Sequence, residues 1–133
     1  MTKASDIMTR NIVAARASTT AREIGTKLLI GNFNGIPVVD KLIGIVTAID
    51  IFQAIRQGKN LDSLRAIDIM TQNPVTVKQD TDINVVIDII LQRHIILVPV
   101  VDDRQKLIGL VGRPDILKQN LNEKFVTITE KRK

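Results

Sequence analysis

The chain has no cysteine, no tryptophan and no tyrosine, and only one histidine among its 133 residues. Without cysteine there is no disulfide, no thiolate nucleophile and no thiolate metal site. A lone histidine, His94, excludes multi-histidine metal centres and leaves little material for a catalytic triad. Three phenylalanines are the only aromatics, so platforms for stacking nucleic-acid bases are scarce. The longest apolar runs, such as Ile95–Val101, fall far short of a bilayer span. The opening Met1-Thr2-Lys3-Ala4-Ser5-Asp6 lacks the apolar stretch of a signal peptide. The expectation is a soluble cytoplasmic chain with an aliphatic core.

What is present in excess is positive charge, a formal +5. Residues 1–65 hold nine basic and five acidic groups, and residues 66–133 hold ten and nine. Only the terminal Lys131-Arg132-Lys133 forms a cluster. That scatter describes a solvated surface better than a nucleic-acid stripe. It still leaves a mild positive field that favours anionic ligands.

The chain also repeats itself. Ala4-Ser5-Asp6-Ile7-Met8-Thr9-Arg10-Asn11 returns as Ala66-Ile67-Asp68-Ile69-Met70-Thr71-Gln72-Asn73, 62 positions on. At the same offset Pro37-Val38-Val39-Asp40 returns as Pro99-Val100-Val101-Asp102. After three inserted residues, Lys41–Val46 comes back as Lys106–Val111, and Asp50-Ile51 matches Asp115-Ile116. Two copies of a unit this long predict two equivalent halves facing each other, with clefts between them, and not an open solenoid.

Within each copy the patterning predicts β-α-β-β-α. Residues 11–15 and 73–77 are β-prone. Ser18-Thr19-Thr20, with Glu23 three residues after Thr20, and Asp80-Thr81-Asp82 in the second copy offer helix N-caps. Ile83, Val86, Ile87, Ile90 and Leu91 form the stripe of a half-buried helix; Ala21, Ile24, Leu28 and Leu29 form a poorer one, weakened by Gly25. Two aliphatic strands follow, joined in the first copy by Lys41 alone and in the second by the longer Asp102–Lys106 turn. A second helix starts at Thr47 or Gly112 and carries Ile51, Ala54 and Ile55, or Ile116, Leu117 and Leu121. The fold class is α/β: two tandem repeats packed as a pseudo-two-fold pair, with boundaries at 1–62, 63–121 and a 122–133 tail. In the tail Phe125–Thr129 alternates as a strand would, and Glu130–Lys133 is expected to be disordered.

The segment Gly44-Ile45-Val46-Thr47-Ala48-Ile49-Asp50 holds the most chemistry. A strand ends at Val46, Thr47 begins a helix, and Asp50 lies three residues on. That spacing makes a capping box. The same geometry aims helix amides and a hydroxyl at a phosphate, and a carboxylate at a pair of ribose hydroxyls. The second copy, Gly109-Leu110-Val111-Gly112-Arg113-Pro114-Asp115, keeps the acid and puts Gly112 where the hydroxyl stood. Arg113 adds a phosphate-compatible fork, and Pro114 suits a first helical turn. No pair of catalytic carboxylates, nucleophile with a base, or glycine-rich phosphate loop is present.

Asp-Ile-Met-Thr, Pro-Val-Val-Asp and Gly44–Asp50, in the same order twice, resemble a tandem pair of CBS domains, the Bateman module named after cystathionine β-synthase. The resemblance covers residues 4 to about 121. It implies a stand-alone, non-catalytic regulatory module with no catalytic cofactor and no metal. Its ligand would be adenosyl: AMP, ADP, ATP, S-adenosylmethionine or NAD. By the family's arrangement, one cleft would use Thr47 and Asp50 with Met70, Pro74, Val75, Ile96, Leu97, Val98 and Pro99. The other would use Gly112, Arg113 and Asp115 with Met8, Ile12, Val13, Asn34, Gly35, Ile36 and Pro37. Every one of these apolar residues also reads as plain core. Arg93 or His94 is a candidate for a ligand phosphate, against an ordinary helix-end role. The resemblance further implies a homodimer through the second helices, and an unidentified partner protein that reads the ligand. The rival readings are an interaction module with vestigial clefts, and nucleic-acid binding.

Overall fold

In the computed structural model, residues 1–121 are described, so the expectations for the 122–133 tail lie outside the described residues. The first copy forms α1 (Ala4–Ile7), α2 (Ala21–Gly31), β1 (Ile36–Val39), β2 (Leu42–Val46) and α3 (Ala48–Arg56). The second forms α4 (Ala66–Ile69), β3 (Thr71–Gln72), β4 (Val77–Lys78), α5 (Ile83–Arg93), β5 (Leu97–Val101), β6 (Leu107–Gly112) and α6 (Arg113–Asn120). The architecture is α/β, with two three-stranded sheets ordered β1-β2-β3 and β4-β5-β6.

The long helices begin as the sequence dictates. The Thr20 hydroxyl accepts the Glu23 amide at 3.1 Å, and the Asp82 carboxylate accepts the Asn84 amide at 2.9 Å. Both end on a left-handed residue at equivalent positions, Asn32 (φ 51°) and His94 (φ 53°). Ala21, Ile24, Leu28 and Val86 are buried. Leu29 and Leu91 (81% and 66% exposed) are not, contrary to the predicted stripes. They occupy equivalent positions in the last turns of the two helices.

The β-prone openings pair less than expected. Residues 11–15 contribute one parallel bridge, Ala15 to Val38, and 73–77 only Val77, the first residue of β4. Asn73 sits at φ 50° and Pro74 has no amide to donate, so neither can extend a ladder. The first hairpin turn is the pair Asp40-Lys41, not Lys41 alone. The second is held by the Asp102 carboxylate, which accepts the Arg104 and Lys106 amides at 2.9 Å each. Those bonds, the one from Lys106 foremost, hold the Asp102 carboxyl below the usual carboxylate range.

The sequence order did not predict the exchange of the opening segments. α1 lies on the second repeat: the Ala4 amide donates to the Thr81 carbonyl (2.8 Å) and the Ser5 amide to Gln79 (2.9 Å). α4 lies on the first repeat by the same bonds, Ala66 to Thr19 (2.8 Å) and Ile67 to Ala17 (3.1 Å). Each following Met-Thr then meets the opposite sheet: β3 pairs antiparallel with β2, and Thr9 bridges Leu110. Met8 and Ala4 therefore belong to the second core with Val86, Val98, Val100 and Val111. Ala66 and Met70 belong to or pack on the first, with Ile24, Ile36, Val38 and Val46. Gly44 and Gly109 permit the crossing, because the Met70 and Met8 thioethers occupy the space where a Cβ would stand. Neither half can bury its core without the other's opening segment. A third cluster, Ile45, Leu97 and Leu110, fills the seam between the halves.

Candidate ligand-binding clefts

Two clefts open along this seam, one under the start of α3 and one under the start of α6. At α3 the Asp50 carboxylate turns back to the helix start, where its Oδ2 accepts the Thr47 amide at 2.7 Å. The Thr47 hydroxyl caps no helix amide and stands 3.4 Å from the same oxygen. Only the acid half of the capping box is therefore closed. Among the described residues Asp50 Oδ1 has no hydrogen-bond partner, and Thr47 and Asp50 are both half-buried. The bonded oxygen orients the carboxylate, the other is without a partner among the described residues, and Asp50 lines the cleft.

That cleft has a volume of about 650 Å³, within the range of about 300–1,000 Å³ that small-ligand sites occupy. Thr47 and Asp50 stand on one wall, with Pro74, Val75, Ile96 and Leu97 around them, as the sequence reading grouped them. Met70, Val98 and Pro99 do not line it. Val98 and Pro99 are fully buried core, and Met70 is spent on the crossing at Gly44. Arg93 and His94 do line it, at the end of α5. The sequence reading did not propose Ile45, Ile49, Gln53, Thr71, Asn73 or Ile95, which also line it. Thr71 and Asn73 were legible in principle, because they follow the repeated Asp-Ile-Met.

The second cleft starts from the same turn and ends differently. Asp115 Oδ2 accepts the Gly112 amide at 2.7 Å, matching Asp50. Its Oδ1 accepts the Thr9 hydroxyl at 2.9 Å, so both oxygens are engaged. Arg113 reaches Asn34 Oδ1 with a long 3.5 Å contact. The remaining volume is about 250 Å³. Val13, Asn34, Gly35, Gly112 and Asp115 line it as grouped, joined by Thr9, Phe33, Leu97 and Lys118. Met8, Ile36 and Pro37 do not, because all three are buried in core. Ile12 packs on the seam cluster and faces a separate hollow under the two hairpin turns. Arg113 does not line the second cleft.

Among the described residues no group of His, Asp and Glu is arranged to hold a metal ion, and no helix is long and apolar enough to cross a membrane. The sequence matches the CBS domain family over residues 4–57 and again over 66–122. The chain belongs to the CBS-domain family. It is 34% identical over 117 residues to the uncharacterised protein MK0525 of Methanopyrus kandleri, covering 85% of this chain and 60% of that protein. It is 33% identical over 119 residues to the L-aspartate semialdehyde sulfurtransferase of Methanocaldococcus jannaschii, covering 87% of this chain and 23% of that one. This CBS pair thus spans less than two thirds of either relative. Among solved structures it resembles the CBS domain pair of protein MJ0100 in complex with 5′-methylthioadenosine and S-adenosyl-L-methionine. The TM-score is 0.81 at 32% identity, covering 90% of this chain and 95% of that chain.

Proposed function

We propose that this CBS pair is a non-catalytic regulatory module that binds one adenosyl ligand in the cleft at Asp50. The observation that carries the reading is the carboxylate itself. It is half-buried, oriented by the Thr47 amide, keeps one oxygen without a partner among the described residues, and lines a cleft of about 650 Å³. A fixed carboxylate with one oxygen open accepts charge-assisted hydrogen bonds from a vicinal ribose diol. Pro74, Val75, Ile96 and Leu97 supply an apolar slot for a purine. The adenosyl ligands of the MJ0100 pair, at 32% identity, support the same class.

The cleft walls come from both repeats, so occupancy favours one relative placement of the halves, and a partner protein reads that shift in population. Assembly supplies the reading surface. α3 exposes Ile49, Phe52 and Ile55, and α6 exposes Leu117, with Leu121 at its end. Ile51 is buried and Ile116 packs on the second core, so these two drop out of the dimer face read from sequence. Pairing with a second copy in the cytoplasm covers the exposed residues. Light scattering at working concentration should give twice the chain mass; a monomer mass rejects the dimer.

The rival reading, an interaction module with vestigial clefts, draws on those same exposed faces and on the occupied Asp115. One calorimetric titration with AMP, ATP, S-adenosylmethionine and a short RNA separates the classes. Binding of an adenosyl compound supports the reading. Silence toward all of them leaves the interaction module, and binding of RNA alone overturns both.

A further inference from the structure

The group attached to the ribose 5′ carbon distinguishes the adenosyl ligands from one another. In AMP it is an anionic phosphate, in methylthioadenosine a neutral thioether, and in S-adenosylmethionine a cationic sulfonium. The charges around the Asp50 cleft bear on which of these it fits. Asp50 and Arg93 are the formally charged side chains on its wall. Asp50 is committed to Thr47 through one oxygen and, on the adenosyl reading, to the ribose through the other. Arg93 is left. It is exposed, closes the last turn of α5, and makes no salt bridge or side-chain hydrogen bond among the described residues. A guanidinium holds its charge at any working pH and forks onto phosphate oxygens.

The opposite wall favours the same charge. The first turn of α3 leaves amides without intrahelical partners, at the positive end of the helix dipole, and the Thr47 hydroxyl beside them is not used as a cap. An anion between α3 and the end of α5 meets donors on both sides. A sulfonium there meets the Arg93 cation and a positive dipole end, with the Asp50 carboxylate, held by Thr47 and the ribose, as the one opposing charge among the described residues of the wall. The other cleft lacks this device, because the positions equivalent to Arg93 and His94 are Gly31 and Asn32.

We infer that Arg93 is the specificity-determining residue of the Asp50 cleft, selecting 5′-phosphorylated adenosine over its thioether and sulfonium analogues. This rests on the adenosyl reading. The test is calorimetry of the full chain with adenosine, AMP, methylthioadenosine and S-adenosylmethionine, repeated with Arg93→Gln and at raised salt. The parent should bind AMP at least about ten-fold tighter than adenosine or methylthioadenosine, and S-adenosylmethionine weakest. Arg93→Gln should bring the AMP-to-adenosine ratio to within about three-fold, and added salt should weaken AMP but not adenosine. Adenosine binding by the variant reports that it has folded. Equal affinity for AMP and methylthioadenosine in the parent, or an unchanged AMP-to-adenosine ratio in Arg93→Gln, overturns the inference and leaves the adenosyl reading standing. Failure of all four ligands to bind overturns both.

Discussion

Two clefts grow from the same turn, and their acids hold the same first bond: Asp50 to Thr47 at 2.7 Å, Asp115 to Gly112 at 2.7 Å. They part at the second oxygen. In one cleft it is free; in the other the Thr9 hydroxyl has taken it. Volumes of about 650 Å³ and 250 Å³ follow the same direction. Duplication supplies two sites, but one hydroxyl on a crossing segment is enough to fill the acceptor of one of them. The same copied residue, Thr71, lines the larger cleft without bonding Asp50. Equivalence in sequence therefore does not give equivalence in the geometry of the two clefts.

The comparison breaks most visibly at the two acids. Asp50→Asn removes a charge-assisted acceptor worth about 1.5–3 kcal/mol, so affinity for AMP should fall at least ten-fold. Asp115→Asn should change it by less than about two-fold. Calorimetry reads both, and thermal unfolding checks that Asn has kept the bond to the helix start. Equal losses would mean that the clefts work alike.

A smaller effect is expected from reopening the narrow cleft. Thr9→Val frees Asp115 Oδ1, and Gly112→Thr restores the missing hydroxyl. The added Cβ would stand 3.1 Å from the Asn34 side-chain amide, a contact that a swing of Asn34 relieves. The double variant should bind a second, weaker equivalent of AMP. No gain in stoichiometry would show that the wall and not the hydroxyl closes the site.

The smallest effect concerns the hairpins, which differ between repeats too. Asp40 in the short turn pairs with Arg16 (2.7 Å), both exposed, while Asp102 holds two turn amides. Hydrogen bonding lowers the Asp102 carboxyl, so its contribution is present above the unfolded value of about 3.9 and lost as pH falls through the folded one. Asp102→Ala should lower Tm slightly and evenly from pH 7 to pH 5, and the gap should close below about pH 4.

Much of this was legible in the sequence because the repeat checks itself: a cap, a strand or an acid seen twice at one offset is rarely accidental. Thr47 with Asp50 and the α5 cap within Asp80-Thr81-Asp82 came from that register, while Pro74, Val75, Ile96 and Leu97 around one cleft came from the family resemblance. The crossing of the openings did not. Two four-residue helices carry no periodicity, and the bonds that place them, Ala4 to Thr81 and Ala66 to Thr19, join the two copies. Their consequence, that Met8 and Met70 pack into opposite cores and not into clefts, was hidden for the same reason. Val98 and Pro99 were misplaced because an aliphatic strand shows a cleft and a core the same residues. The grip of Thr9 on Asp115 joins positions 106 apart, where only the fold connects them.

The measurement that bears most directly on the central claim is the stoichiometry of AMP binding by calorimetry, for the parent chain and for Asp50→Asn. The account predicts one equivalent per chain in the parent and a loss of affinity of at least about ten-fold in the variant, which should still unfold cooperatively. Two equal equivalents in the parent, or unchanged affinity in Asp50→Asn, would contradict it and return Asp50 to the role of a helix cap.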